Sequence, residues 1–447
     1  MKKNVSLKSL RQLILSLTAL LLVGAFGYWL GSHRFTLSSF NSFLGKKNDI
    51  IPQAEVVNKA APAHRQNVDF SLFWEVWDRL EKNYLEKKDL DPEKMVYGAI
   101  QGMTAALGDP YTVFLPPSEN QASKEDLNGS FEGVGIQLGY KDGNQLVVMA
   151  PLAGMPAEKA GIKAGDLILH IKDTEKKIDR DTVGISLPEA VKLIRGKKGT
   201  EVTLTLLREK ETKPYEVTLV RETIIVPSVS VSFGYLGEDG QWQEIKDTAV
   251  KEKKIAAWLK LLRFGELTLE QWDEAIGLIE QQAKDKNQKF TGVILDLRNN
   301  PGGYLEGAVN LAGEFLPSGK LVVKQENADG SFEEYKVKRL GRLLEIPLVV
   351  LVNKGSASAS EILAGALRDW GRAKIVGEKT FGKGTVQEAL DLREGAGLHV
   401  TVAKWLLPKG EWIHEEGLKP DVEISTEEKE ASADAQLQKA MEVLLKN

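Results

Sequence analysis

Three serines alternate with small residues in VNKGSASASEILAGALRDW (352–370), where a buried-strand pattern runs into a glycine turn and then a helical one. A hydroxyl at that junction would sit at a helix N-terminus, where the dipole and free backbone N–H groups stabilise an oxyanion when the hydroxyl attacks a carbonyl. The same letters also describe an ordinary helix start. Ser358 and Glu361 have capping-box spacing, and this segment alone does not choose among Ser356, Ser358 and Ser360. A second segment, KIVGEKTFGKGTVQEALDL (374–392), nearly copies a phosphate-binding loop from Gly377 to Lys383. Gly384 stands where that loop needs Ser or Thr, and Thr385 to Leu392 reads as a strand rather than the required helix, so a nucleotide site is not expected.

What remains there is Lys383, held between glycines at a strand start, with Lys383, Thr385 and Gln387 alternating onto one face. Exposed, it would simply be solvated. Buried, it would lose proton affinity and become a usable general base, which requires about 4 kcal/mol of differential environment. The strand GVILDLR (292–298) runs into NNPGG, placing a tight turn at the C-terminal edge of a sheet, where α/β folds bind ligands. Backbone N–H groups of Gly302 or Gly303 could supply half an oxyanion hole and that of Ala359 the other half.

The strings DLRNNPGG, VNKGSASASEI and GEKTFGKGTVQ, in this order, resemble the carboxyl-terminal processing peptidases, also called tail-specific proteases. LGDPYTVFLPP (107–117) and the tail phrase QLQKAMEVLL are also similar, so the likeness covers nearly everything after about Phe70. The resemblance implies Ser358 as nucleophile, Lys383 as its general base and Gln387 orienting the lysine from the same strand face, a serine and lysine variant of triad logic. No metal and no cofactor is implied. Two rival readings are a binding scaffold with an inactive core and a hydrolase with a histidine base. Against the latter, His399 and His414 lie in ordinary strand or turn patterns. The chain departs from the family pattern between Phe233 and Lys254, where a polar stretch could add a hairpin or flap near the substrate groove.

FEGVGIQL (131–138) resembles the carboxylate-binding loop and following strand of a PDZ module, with Val134, Gly135 and Ile136 carrying the loop. Such a loop receives a terminal carboxylate on backbone N–H groups while the peptide adds as an extra strand. GMPAEKAGIKAGDLILHI (154–171) and a helix across 187–194 are similar to the rest of the module, and Arg195 could couple peptide binding to catalysis.

The elements that must position these residues follow from periodicity. Apolar residues recur at helical spacing from Phe70 to Tyr84 and from Met95 to Leu107, two stripes expected to be core. After about residue 223, buried strands alternate with helical patterns, which predicts an α/β layer structure with a mixed sheet. The expected fold class is therefore multidomain α/β and α+β. Its parts are a cytoplasmic tail and membrane anchor (1–31), a linker (32–67), a small helical region (68–128), a PDZ domain (129–222), the serine-peptidase core (223–425) and a C-terminal tail helix (426–447).

Lys2, Lys3, Lys8 and Arg11 precede an uncharged run from Leu13 to Leu30, long enough as a helix to span about 27 Å. The charge bias leaves that side cytoplasmic and puts the catalytic part outside, in a bacterial-like single-pass arrangement. Bulky Tyr28, Trp29 and Leu30 favour an uncleaved anchor over a signal peptide. Across 447 residues, an apolar share of 42% and 41 glycines indicate folded domains, and a net charge of −4 gives a nucleic-acid partner no electrostatic footprint. Zero cysteines exclude disulfides and thiolate chemistry. Expected partners are polypeptides with exposed apolar C-termini, the membrane, and a second copy in a homodimer.

Overall fold

Helix α1 (Ser71–Asn83) and helix α2 (Pro92–Ala105) form where the 3.6-residue periodicity places them, and Asp91 accepts the N–H of Glu93 at 3.0 Å to start the second. The computed structural model describes residues 68–141, 145–209, 211–245, 253–286, 288–425 and 434–446, so the expected anchor and linker lie outside the described residues. The chain divides into two compact units, Met1–Gly98 and Ala99–Asn447. The two helical stripes are not core. Trp77 is the one buried residue of α1, whereas Phe70, Leu72, Leu80 and Tyr84, and from the second helix Val96 and Met103, are exposed. Periodicity reports that a face is apolar but not what covers it. Among the described residues no helix is long and apolar enough to cross a membrane.

The stretch from Gly108 to Pro117 contains strand β1 (Val113–Leu115), and helix α3 (Pro117–Asn128) follows it, ended by Gly129 in the left-handed region at φ 66°. A PDZ-like module then begins. Strand β2 (Ser130–Gly133) later pairs with β9 (Glu222–Ile225), bringing entry and exit of the module together. Between them lie β3 (Ile136–Lys141), β4 (Gln145–Pro151), short helix α4 (Pro156–Lys159), β5 (Leu167–Asp173), β6 (Ile178–Asp181), helix α5 (Leu187–Ile194), β7 (Glu201–Leu207) and β8 (Tyr215–Val220). The sheet order is β3-β4-β5-β7-β8, which leaves β3 at an open edge. Alternation drives the packing: Val202, Leu204 and Leu206 point into the core with Val148, Ile168, Ala190 and Ile194. Arg221 is wholly buried there, donating to Asp173 at 2.7 Å and to the Ile194 carbonyl at 2.8 Å.

The core that follows is built on a mixed seven-stranded sheet. Its strands are β10 (Val229–Leu236), β11 (Trp242–Glu244), β12 (Lys254–Leu261), β13 (Lys289–Asp296), β16 (Leu348–Val352), β17 (Lys374–Gly377) and β20 (Val422–Glu423), in the order β11-β10-β12-β13-β16-β17-β20. From β12 to β20 neighbours are parallel, and β10 and β11 join antiparallel. The central strands are covered on both faces, which explains their unbroken apolar runs. One face carries α6 (Thr268–Lys284), α7 (Leu305–Ala312) and α8 (Ala359–Asp369), the other α9 (Ala435–Leu444), whose Leu437, Met441 and Leu444 meet Ile294, Val349 and Leu351. The tail helix thus packs within its own chain. A second sheet contains β1, β14 (Leu321–Asn327), β15 (Phe332–Lys336), β18 (Thr385–Asp391) and β19 (Gly397–Leu406).

The polar stretch after Phe233 does make a hairpin, β10–β11, with Trp242 edge-on to Trp258 at 5.7 Å. Its described residues sit at the sheet edge beside α9, where Gly240 abuts Gln438, and none lines the cavity described below. The reason is the two tryptophans: they bury against the α9 face of the sheet and carry the hairpin with them.

Replacing Arg221 by methionine should leave Asp173 buried without its partner and cost the module about 3–5 kcal/mol. The expected reading is faster hydrogen exchange at the amides of β5 and β7, with exchange in β13 unchanged.

Candidate active site

Strand β16 ends in the turn that presents the three serines, and the turn decides between them. Ser356 Oγ donates to the Leu297 carbonyl at 2.8 Å and Ser360 Oγ to the Asn300 carbonyl at 2.9 Å, both wholly buried. Their hydroxyls serve the fold. Ser358 instead lines an open cavity of about 380 Å³ together with Lys383, Gln387, Gly302 and Gly303. Its backbone is held at φ 54°, ψ −115°, a conformation costly for a residue with a Cβ.

One buried carboxylate holds that geometry. Glu361 Oε2 accepts the N–H of Ser358 at 2.8 Å and that of Lys383 at 2.9 Å, while Oε1 accepts the N–H of Gly382 at 2.7 Å and the Thr380 hydroxyl. Burial pushes the Glu361 carboxyl above its usual range, and the four donors pull the other way. The spacing that reads as a helix cap therefore fastens the serine turn to the lysine segment.

Lys383 precedes β18 rather than lying on it. Its amine sits over the ring of Tyr111, 5.0 Å from the centroid, and burial holds it below the ordinary lysine range against the charges of Asp109 and Glu361, which favour the ammonium. Gln387 does not bond to it. The amide of Gln387 donates instead to Thr385 Oγ1 at 2.9 Å and Thr401 Oγ1 at 3.1 Å, because Thr401 is its direct cross-strand neighbour and a bulge at Val386 and Gln387 breaks the expected alternation.

The NNPGG turn is organised by Asn300, whose Nδ2 donates to the Leu261 carbonyl and whose Oδ1 accepts the N–H of Gly302 at 2.9 Å. That bond removes Gly302 as an oxyanion donor. Its role is steric: at φ 101°, a Cβ would lie 2.9 Å from Ser358 Cβ and 3.0 Å from the Ala359 nitrogen. The N–H groups of Gly303 and Ala359 have no protein acceptor among the described residues.

His399, on β19, lines the same cavity, and burial and the Lys383 charge push its pKa down. His414 stacks on Trp412 with centroids 5.1 Å apart and accepts the Gly384 N–H at 3.3 Å. Among the described residues neither imidazole bonds to Ser358. Three residues near Ser358 and Lys383 escaped sequence reasoning as site residues, Asp109, Tyr111 and Glu361, while His399 entered it only as the base of a rival reading. The first two stand in LGDPYT, a string noted only for its likeness, and nothing local marks what they would touch.

In the PDZ-like module, Gly135 takes φ 73° and its carbonyl accepts the Leu152 N–H at 2.9 Å, while Val134 is buried and Ile136 opens the edge strand β3. Arg195, at the end of α5, lays its guanidinium over Phe131 at 4.0 Å and pairs with Glu125 on α3 at 2.9 Å. Ser123, Asp126 and Leu127 of that helix line the Ser358 cavity.

Replacing Glu361 by alanine leaves four donors without their acceptor. A stability loss of at least about 3 kcal/mol is expected, read as a lower unfolding temperature, with E361Q falling between the two.

Comparison with known proteins gives three family matches: peptidase family S41 over residues 256–424, the PDZ domain over 121–207, and the N-terminal domain of the activating protease CtpB over 21–118. The chain is 38% identical over 353 residues to the carboxy-terminal processing protease CtpA of Bacillus subtilis, covering 79% of this chain and 68% of that one. It is 35% identical over 376 residues to a probable CtpA-like serine protease of Staphylococcus epidermidis, covering 84% and 68%. Among solved structures, a photosystem II D1 C-terminal processing protease shares 33% identity with a TM-score of 0.45, over 80% of this chain and 89% of that one.

Proposed function

The chain belongs to the carboxy-terminal processing serine proteases of peptidase family S41, and on that premise we propose that it is an endopeptidase that grips apolar C-termini in its PDZ domain and cleaves through Ser358 and Lys383. The observation that carries the site assignment is the shared carboxylate: Glu361 takes one backbone N–H from each of the two residues that line the same cavity.

In this reading the neutral amine of Lys383 takes the proton of Ser358 Oγ as the oxygen attacks the scissile carbonyl. The N–H groups of Gly303 and Ala359 receive the oxyanion. Collapse breaks the C–N bond, Lys383 returns the proton to the departing amine, and an acyl-enzyme remains on Ser358. Water, deprotonated by the same lysine, then hydrolyses the ester. Gln387 joins the triad only if its amide leaves Thr385 or Thr401 for Lys383.

The PDZ domain supplies substrate choice. A C-terminal carboxylate would rest on the backbone of Val134, Gly135 and Ile136 while the peptide extends along the open edge of β3. Arg195, paired with Glu125 on a helix that also lines the cavity, is suited to report that occupancy to the site. The N-terminal run 13–30, with its flanking cations, is proposed as a single-pass anchor that places these domains outside the cytoplasm. The exposed apolar faces of α1 and α2 support pairing of two copies.

The test follows cleavage of an unfolded protein with an apolar C-terminus by the full chain, beside the same protein ending in aspartate. S358A and K383A are each expected to lower kcat by about 10⁴-fold or more with folding intact. Cleavage surviving in both would remove the site assignment, and equal cleavage of the two substrates would remove the C-terminal preference. A pH series adds a sign. The active form of Lys383 is the neutral one and its pKa lies below the ordinary 10.5, so kcat/KM should rise with pH and level off below 10.5, falling again as acid protonates the amine.

A further inference from the structure

We propose that Tyr111 is a positioning residue for Lys383: its ring closes the side of the amine opposite the Ser358 cavity and keeps bulk water from the nitrogen. This deepens the reading of Lys383 as general base and rests on it. Lys383 is among the residues that line the cavity and Tyr111 is not, and the aromatic face lies 5.0 Å from the amine. Among the described residues Nζ has no hydrogen-bond acceptor, which leaves the ring as its defined contact.

The ring is held there by more than its own packing. Asp109 accepts the Tyr111 N–H at 3.0 Å and the Thr112 hydroxyl at 2.6 Å, and Thr112 Oγ1 in turn accepts the Thr401 N–H at 3.0 Å. The next residues pair with β19, Val113 opposite His399. From the other side, the Tyr111 ring meets His414 edge-on at 6.0 Å, and His414 stacks on Trp412. Both of those residues grip Gly384, the neighbour of Lys383: Trp412 Nε1 donates to its carbonyl at 2.9 Å and His414 Nδ1 accepts its N–H at 3.3 Å. A Cβ at Gly384 would lie 2.7 Å from Trp412 Nε1, so the clamp requires glycine. The lysine backbone is thereby held beside Gly384, and its amine lies over the Tyr111 ring.

The charges around the amine do not favour a neutral base. Asp109 and Glu361 both attract the ammonium, Glu415 acts on Tyr111, and burial and the Lys383 charge together reduce the proton affinity of His399. The face of an aromatic ring also attracts an ammonium. Lys383 nevertheless stays below its ordinary range, with burial as the leading cause. Removal of water therefore outweighs both carboxylates, and the Tyr111 ring over the nitrogen is one of the surfaces that removes it.

The test separates the hold on the lysine from catalysis. In the full chain carrying Ser358→Ala, the Lys383 amine is titrated by its rate of acylation with an amine-selective anhydride, read by mass spectrometry of the peptide that contains it. Tyr111→Ala is expected to raise the titration midpoint by about one pH unit, labelling about tenfold slower at neutral pH, while Tyr111→Phe stays within about twofold. Tyr111→Leu, which keeps apolar bulk without the quadrupole, should stay within about threefold and covers the case in which alanine prevents folding. With Ser358 restored, the acid limb of kcat/KM should move with the labelling midpoint. An unmoved midpoint in a folded Tyr111→Ala chain, a shift in Tyr111→Phe as large as in alanine, or a full tenfold loss in leucine would overturn the proposal. If labelling moves and the rate profile does not, the ring's hold on the lysine stands and the general-base reading of Lys383 falls.

Discussion

A single buried carboxylate, Glu361, is the constraint on which the site depends. An ionised group taken out of water is tolerated only when its oxygens are filled, and here four donors fill them. Three of the four come from the loop between β17 and β18, the fourth from the serine turn that follows β16. The same side chain therefore stabilises an otherwise unfavourable conformation at Ser358 and sets the position of Lys383 relative to it. Thr380 extends the network, accepting the Leu418 N–H at 2.7 Å through the hydroxyl it donates to Glu361.

Around this centre, the parallel strands β12, β13, β16 and β17 deliver their C-terminal ends to one edge. Asn300 ties three of these strand ends: it donates to the carbonyl of Leu261 at the end of β12, accepts from Gly302 in its own turn, and its carbonyl accepts the N–H of Ala357 and the hydroxyl of Ser360. Arg298, beside it, pairs with Asp296 at 2.7 Å and with Asp434 at 2.8 Å, and Asp434 caps α9. The far face of the sheet and the edge that carries Ser358 are thus joined through one guanidinium, so the tail helix is part of the core rather than an appendage.

The PDZ domain meets this core through α3. That helix shows one side to a cavity of about 740 Å³ shared with α5 and another to the cavity of Ser358. Arg195 grips it through Glu125, and Arg263, in the core, pairs with Asp126 one residue on. Under the proposed coupling, a peptide that shifts α5 acts on α3 through the first pair, while the second holds α3 to the edge that carries Ser358. Coupling by such a route requires two discrete positions of the helix, and the ion pairs are the contacts that would differ between them.

The amino-acid sequence by itself determined what is local. Alternation in β7, the unbroken apolar run of β13, the glycine turn before α8 and the helical tail through Leu437 and Met441 are written in neighbouring residues, because burial acts on each element's own face. Three short strings also sufficed to bring Ser358, Lys383 and the NNPGG turn under one family. What only the tertiary structure decided is where hydrogen bonds between distant segments go. It sent the hydroxyls of Ser356 and Ser360 to carbonyls about 60 residues away, gave the Gly302 N–H to Asn300, turned Gln387 toward Thr401, and left the stripes of α1 and α2 exposed. It also brought Tyr111 to Lys383 across more than 270 positions. A donor's partner is chosen by distance and angle in space, and neither is a function of separation along the chain.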